Sequence, residues 1–223
     1  MMTNLFSCFD PSTSMKMSLN WVSTMMTIMI IPCVYWYMPS RIDILNSKLY
    51  STLYMEFKMI LGKNSSGMKL MMLSLFMFIL NNNFLGLLPY IFTSTSHLSF
   101  SMAMALPLWL SMMMFGWFNK AQEMFSHLIP SGTPALLMPF MVLIETTSNL
   151  IRPGSLAVRL MANMISGHLL MSLLGNNMTQ ATMIISPLIF MTQMFLMMFE
   201  MAVSIIQAYV FSMLTTLYSS EVN

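Results

Sequence analysis

The sequence predicts an all-α polytopic membrane protein, with one amphipathic surface helix and two long, strongly tilted membrane helices. Of its 223 residues, 57% are hydrophobic and only 7% are charged, whereas an ordinary globular chain carries about 25% charged residues. Nine basic and seven acidic side chains cannot cover the surface of a water-soluble fold of this size. Four charge-free intervals exceed the roughly 20 residues that a helix needs to cross a bilayer; they are residues 17–40, 70–119, 124–144 and 160–199.

The remaining composition excludes several classes of protein. A net charge of +2 without a basic run gives no sign of nucleic-acid binding. Cys8 and Cys33 are too few for a disulfide framework or a metal site. The 33 methionines fit an animal mitochondrial genome, whose reassigned codons commonly replace Ile by Met. We find no cleavable signal and no Arg/Ser-rich transit peptide, and a chain made inside the organelle needs neither.

The first two elements are a membrane span and a surface helix. Residues 18–38 form an apolar stretch with aromatic residues at both ends, as at two membrane interfaces. Ser40 and Asp43 then form a capping box that opens a helix over 41–60. Its apolar residues fall within an arc of about 120°, so we expect it to lie on the membrane surface. Glu56 lies inside that arc and weakens the pattern, and an ordinary loop with helical content remains the alternative.

The rest of the chain divides into a hairpin and two long helices, within a single membrane domain over 1–223. Pro89 and the polar residues after it divide the long charge-free interval into spans at 69–91 and 98–118. A loop from 119 to 134 precedes apolar segments at 134–174 and 181–218, with Asn176 and Asn177 marking the turn between them. The first segment either breaks into two spans at Pro153-Gly154 or remains one tilted, kinked helix. We favour one helix, because this region lacks a polar reversal loop.

Basic residues orient the spans. Five of the nine Lys and Arg residues lie between Arg41 and Lys69, and Lys120 lies in the other loop assigned to that side. The loops around Ser94 and Asn176 carry none. The positive-inside rule therefore places the surface helix and the Lys120 loop in the matrix or cytoplasm, and the N-terminus outside.

Ionisable side chains within membrane helices are costly and are therefore functional candidates. Glu145, Arg152 and Arg159 are spaced by seven on one face of the long helix, and Asn163 and Ser166 continue that face. His168 lies about 180° around the helix from Arg159. Arg152 stands beside the proline and is expected to extend to the lipid headgroups. In the last helix, polar residues recur at i, i+4 and i+7; these are Glu200, Ser204 and Gln207.

The polar set suits proton transfer better than other chemistry. The sequence has no Gly-rich phosphate loop, no clustered metal ligands, no plausible Ser-His-Asp set and no paired histidines for haem. We therefore predict no catalytic residue, no cofactor and no metal. Carboxyl and imidazole groups gain and lose protons when their surroundings tune them. Arginine stays protonated, so one arginine between two proton paths would act as a permanent barrier.

Several segments resemble the subunit a family of F-type ATP synthases, also called ATPase subunit 6, over essentially the whole chain. The signature segment is Ser155–Leu170, which contains Arg159, Asn163 and His168. Further matches occur in the family's order at 82–90, 132–134, 144–146 and 206–211. The two ends of the chain resemble those of insect mitochondrial members.

The resemblance implies a stator subunit beside the rotating c-ring, in the mitochondrial inner membrane. Arg159 would face the ring carboxylate, and Asn163 and Gln207 would lie near the ring. His168 and Glu200 would line the inlet half-channel and share one aqueous site, while Glu145 would lie toward the matrix half-channel. The implied partners are the c-ring, subunit b, subunit 8 and the lipid bilayer, with no nucleic acid. ATP chemistry would belong to other chains.

The sequence argues against two other functions. A proton-coupled secondary transporter would carry an inverted repeat and broken helices in matching positions, and this sequence has neither. A non-conducting membrane scaffold would not need the costly residues Glu145, Arg159, His168 and Glu200.

Overall fold

The computed structural model describes residues 5–14, 17–31, 37–62, 65–129 and 134–222. Short 3-10 turns at Leu5–Phe9, Leu19–Trp21, Ser94–Ser96 and Ala135–Leu137 connect the longer elements. In these residues the chain forms seven α-helices: α1 (Val22–Ile30), α2 (Arg41–Leu61), α3 (Ser66–Leu87), α4 (Leu98–Asn119), α5 (Ala121–His127), α6 (Met138–Gln180) and α7 (Ser186–Val222). The all-α, multi-pass architecture is confirmed.

Membrane-crossing potential is concentrated in α3, α4, α6 and α7. Within the described residues, these four helices have the length and apolar composition needed to cross a bilayer. The segment expected to span first, residues 18–38, contains a shorter apolar helix over Leu19–Ile30. The rest of that prediction partly concerns residues 32–36, which lie outside the described residues.

Helix α2 begins with the expected capping box. The Asp43 backbone N–H donates to Ser40 Oγ at 3.3 Å, and the Ser40 N–H donates to Asp43 Oδ2 at 3.0 Å. The last residue of the helix is Leu61. Gly62 follows it with a positive φ of 74°, a conformation that suits a residue without a Cβ. Phe57 on one face is fully buried, whereas Ile42 near the start is exposed. Part of the apolar face therefore packs on protein and part remains available to lipid.

Helix α3 lies at the centre of the packing. It contacts α1, α2 and α7, while α6 contacts both α4 and α7. The core is formed by apolar residues of α2, α3, α4, α6 and α7; its fully or nearly fully buried members include Phe57, Met72, Ile79, Ala105, Ala157, Ala208 and Phe211. Small residues on α6 and α7 allow close approach of the helices, as is usual in membranes.

The long segment around Pro153 is one helix. Helix α6 runs without interruption from Met138 to Gln180, and its 43 residues measure about 65 Å. That length is roughly twice the thickness of a bilayer's hydrocarbon core. The structure therefore has the single helix that the sequence analysis favoured over a break at Pro153-Gly154. The turn predicted at Asn176 and Asn177 is wrong, since both residues lie within this helix.

The turn lies later because α6 continues through both asparagines. The chain reverses between Gln180 and Ser186, through residues 181–185. An asparagine inside a helix costs only about 0.7 kcal/mol relative to alanine, which packing easily offsets. The expected loop over 119–134 also differs, because it contains the short helix α5. Seven residues are too few for periodicity to identify a helix.

Replacing Phe57 with Ala should weaken the attachment of α2 to the bundle. The change leaves a cavity at a fully buried site, which costs about 3 kcal/mol or more. We expect faster proteolysis of α2 in the solubilised complex. Met59→Ala is the matched control, because that side chain is 88% exposed on the same helix. Equal protease resistance in the two variants would show that Phe57 does not anchor α2.

Candidate functional site

The turn at 181–185 sets which residues of α6 and α7 face each other. Gly167 and Glu200 lie at nearly equal distances along the chain from this turn, so an antiparallel hairpin brings them level. The Glu200 carboxylate lies directly against Gly167 and occupies the space that a Cβ would need. Glu200 is only 8% exposed. Because Gly167 has no side chain, there is room at this position for the buried carboxylate of Glu200.

The anticipated His168 and Glu200 pair is adjacent but not bonded. Glu200 contacts the residue immediately before His168. The described residues show no hydrogen bond or ion pair between the two side chains, and His168 Nε2 is buried without a partner. A turn at Asn176, as predicted from the sequence, would place His168 and Glu200 at different levels along the hairpin. The later turn brings them to the same level.

A narrow crevice joins the polar stripes of the two long helices. Glu200, Ser204 and Gln207 of α7 line it together with Asn163 of α6. The stripe at i, i+4 and i+7 therefore faces Asn163 of α6. Arg159 and Ser166, which the sequence placed on the same face as Asn163, do not line the crevice. The crevice has no room for a water molecule. The polar side chains that line it therefore lie close to one another, with no space for a chain of water molecules between them.

Asn83 of α3 is a site residue that the sequence reasoning did not select. It is fully buried, lines the same crevice and donates from Nδ2 to the Ser204 carbonyl at 3.3 Å. Its Oδ1 has no hydrogen-bond partner within the described part of the chain. A buried amide oxygen without a partner is costly, which makes Asn83 a candidate member of the site. The available signal was the polar run at 81–83 inside an apolar span.

Arg159 lies on the outer surface of α6. It is exposed and, among the described residues, has no carboxylate within 4.0 Å. Ser166, two turns further along, is exposed too, and its hydroxyl donates to the Asn163 carbonyl at 3.1 Å. A permanent cation on an apolar surface needs a partner, and the described residues do not provide one.

Arg152 was expected to extend to the lipid headgroups, but in the structure it forms ion pairs with two carboxylates of this chain. Its guanidinium donates to Glu145 Oε1 at 3.3 Å and to Glu221 Oε2 at 2.8 Å. It also lies 4.8 Å from the centre of the Tyr218 ring. The correction has a simple cause, since the end of α7 returns to this level and brings a second carboxylate. The spacing along the helix placed Glu145 on the same face as Arg152, but it could not reveal Glu221, which is 69 residues away from Arg152.

Two larger cavities lie toward opposite ends of α6. One, of about 500 Å³, is lined by Glu145, Arg152 and Glu221 together with aromatic residues of α4. The other, of about 680 Å³, is lined by His168, by Gln193 of α7, by the connection between α3 and α4, and by residues before α1. Arg159 lines neither cavity and lies between these two levels along the helix. The described residues contain no group of three His, Cys, Asp or Glu side chains suited to a metal ion.

Comparison with known proteins identifies the family. A profile of the family described as ATP synthase A chain matches residues 17–220. The chain belongs to the ATP synthase subunit a family. It is 60% identical to ATP synthase subunit a of Aedes aegypti, 58% to that of Locusta migratoria and 57% to that of Drosophila melanogaster, in each case over the full length of both chains. The resemblance to insect members is confirmed, as is a role in the membrane sector of F-type ATP synthase.

Replacing Gly167 with Ala should displace Glu200, because the new Cβ would overlap the carboxylate. We expect the complex to assemble and its rate of ATP synthesis to fall by about tenfold or more, as for a misplaced reacting group. Gly175→Ala is the matched control on the same helix, since a Cβ there meets nothing within 4 Å. Equal rates in the two variants would contradict a role for this close approach.

Proposed function

We propose that this chain is the proton-conducting stator subunit of the mitochondrial F-type ATP synthase. Protons would pass through two offset half-channels to and from carboxylates of the c-ring, so that proton flow drives rotation. The observation that carries the proposal is the arrangement along α6, where two cavities at different levels are separated by an exposed arginine without a carboxylate partner in the described residues. The spacing of residues supports two paths that do not join directly.

The inlet path would use the cavity that contains His168. This residue lies nine positions beyond Arg159, or about 13 Å along the helix. Imidazole exchanges protons near neutral pH, and Glu200 lies against the neighbouring Gly167. From there Asn83, Ser204, Gln207 and Asn163 line a crevice that leads toward the level of Arg159. These amide and hydroxyl groups can donate and accept hydrogen bonds along that route.

The outlet path would use the cavity that contains Glu145. This carboxylate lies 14 positions before Arg159, or about 21 Å in the opposite direction. Arg152 binds Glu145 and Glu221, which compensates part of their charge in a medium where isolated carboxylates are costly. Because the two cavities are displaced in opposite directions from Arg159, a proton would travel on the ring to go from one to the other.

Arg159 would separate the two paths. Its guanidinium stays charged at all relevant pH values, so it cannot relay a proton. Its exposure at the surface of α6 leaves it available to a carboxylate on another chain. A ring carboxylate that passes it would lose its proton on one side and gain one on the other. The expected partners are the c-ring, subunit b, subunit 8 and the lipid bilayer, in the mitochondrial inner membrane.

Replacing Arg159 with Gln should abolish coupled ATP synthesis and ATP-driven proton pumping. The complex should still assemble, because one exposed side chain does not hold the spans together. The measurements are ATP synthesis and vesicle acidification by the complex reconstituted into lipid vesicles. Arg41→Gln is the matched control, since that exposed arginine lies at the start of α2. Normal coupled synthesis in Arg159→Gln would overturn the mechanism.

Co-purification distinguishes the other two functions. A stator subunit should co-purify with an oligomeric ring of small proteolipids. A secondary transporter would be isolated without that ring and would bind its own substrate, and a scaffold would tolerate Arg159→Gln.

A further inference from the structure

The segment before α1, residues 5–14, lies against a residue of the proposed proton path. The ring of Phe9 packs edge-on against the His168 imidazole, with 6.2 Å between ring centres and an angle of 90°. The Asn20 side chain donates to the Asp10 carbonyl at 3.3 Å, which ties the segment to the turn before α1. This N-terminal segment is therefore packed on α6 at the level of His168.

The N-terminal segment also forms one wall of the 680 Å³ cavity. Ser7, Cys8, Phe9, Asp10 and Ser12 line that side, and the connection from α3 to α4 lines another. His168 lies where these walls meet α6. A proton that reaches His168 through this cavity must pass beside the N-terminal segment.

Asp10 is the one carboxylate among the described residues that line this cavity. Its Oδ1 accepts hydrogen bonds from the Ser12 backbone N–H at 3.1 Å and from Ser12 Oγ at 2.8 Å. These two bonds lower the pKa of Asp10 below its ordinary value, so the exposed carboxylate stays ionised at neutral pH. The other titratable side chains of the lining are Cys8, Tyr90 and His168, and the described lining contains no Lys or Arg.

We propose that the N-terminal segment is the mouth of the inlet path, in which Asp10 gathers protons in front of His168 and Phe9 narrows the access to the imidazole. An ionised carboxylate at a cleft raises the local concentration of cations and therefore their rate of arrival. The ring of Phe9 cannot carry a proton. Phe9 is therefore a positioning residue, which acts by holding the His168 imidazole that it contacts. The proposal rests on the proposed function, and it extends the inlet path to residues of the N-terminal segment.

Native Cys8 provides a direct test, because it is exposed and lines the cavity. A membrane-impermeant cationic methanethiosulfonate reagent is applied to mitochondria whose outer membrane has been removed. The attached group fills part of the cavity and offsets the charge of Asp10, so we expect a severalfold loss of ATP synthesis. The Cys8→Ser variant retains Cys33, and the reagent should not change its rate relative to the same variant without treatment, which assigns the loss to Cys8.

Mass spectrometry of the labelled protein completes this test. Complete modification of Cys8 with an unchanged rate would overturn the proposal, as would equal inhibition of the Cys8→Ser variant. Failure of Cys8 to react from this side would also overturn it, since the mouth must be open to the outside.

A second test separates the charge of Asp10 from a structural role. Asp10→Asn keeps the size of the side chain and should require a lower outside pH for half-maximal synthesis, shifted by a few tenths of a unit, with an unchanged maximal rate. Raising the salt should reduce the difference, because the screening length falls from about 10 Å at 0.1 M to about 3 Å at 1 M. Asp43→Asn, at the start of α2, should behave like the wild type.

The outcomes distinguish this proposal from the function on which it rests. An equal loss of rate at every pH in Asp10→Asn would indicate a structural role and contradict proton gathering. An inactive Arg159→Gln complex together with unaffected Cys8 and Asp10 variants would overturn only the proposed mouth. A fully active Arg159→Gln complex would overturn the proposed function itself.

Discussion

The position of the turn between α6 and α7 determines how the polar residues of the two long helices meet. The turn occupies residues 181–185, so positions equally distant from it lie level in an antiparallel hairpin. Gly167 then faces Glu200, and Arg159 lies at the level of Gln207. A turn at 176 and 177 would instead place Glu200 near Pro153, about 20 Å from Gly167. The arrangement of the proposed path thus depends on this single register.

Ionisable side chains on the long helices constrain how α6 and α7 pack against each other. An ionised carboxylate needs either a partner or a close polar surrounding, because its burial is otherwise costly. Glu145 and Glu221 both bind Arg152, and Glu200 packs against the backbone at Gly167. Arg159 is the exception, since it is exposed and makes no ion pair within the described residues. Glu145 and Glu221 already bind Arg152, so the exposed Arg159 remains available for the proposed partner on another chain.

Features of the site that follow from helical periodicity were predictable from the sequence. The spacing on α7 grouped Glu200, Ser204 and Gln207 on one stripe, and all three line the same crevice. Contacts between distant segments were not predictable in this way, and the pairing of Arg152 with Glu221 is one example. The turn was placed too early because asparagine favours turns but also costs little inside a packed helix. The helical fold itself required only length and apolar composition.

Exceptions to the local pattern mark places where distant parts of the chain meet. Glu56 lies within the apolar arc of α2, and the Tyr209 hydroxyl donates to its Oε2 at 3.1 Å. Gly167 interrupts the side-chain surface of α6 where Glu200 packs, and Asn83 is an amide within an apolar span that binds α7. Each exception departs from the pattern of its own helix and makes a contact with α7. Since helical periodicity describes one helix at a time, such departures carry the information about tertiary structure that periodicity lacks.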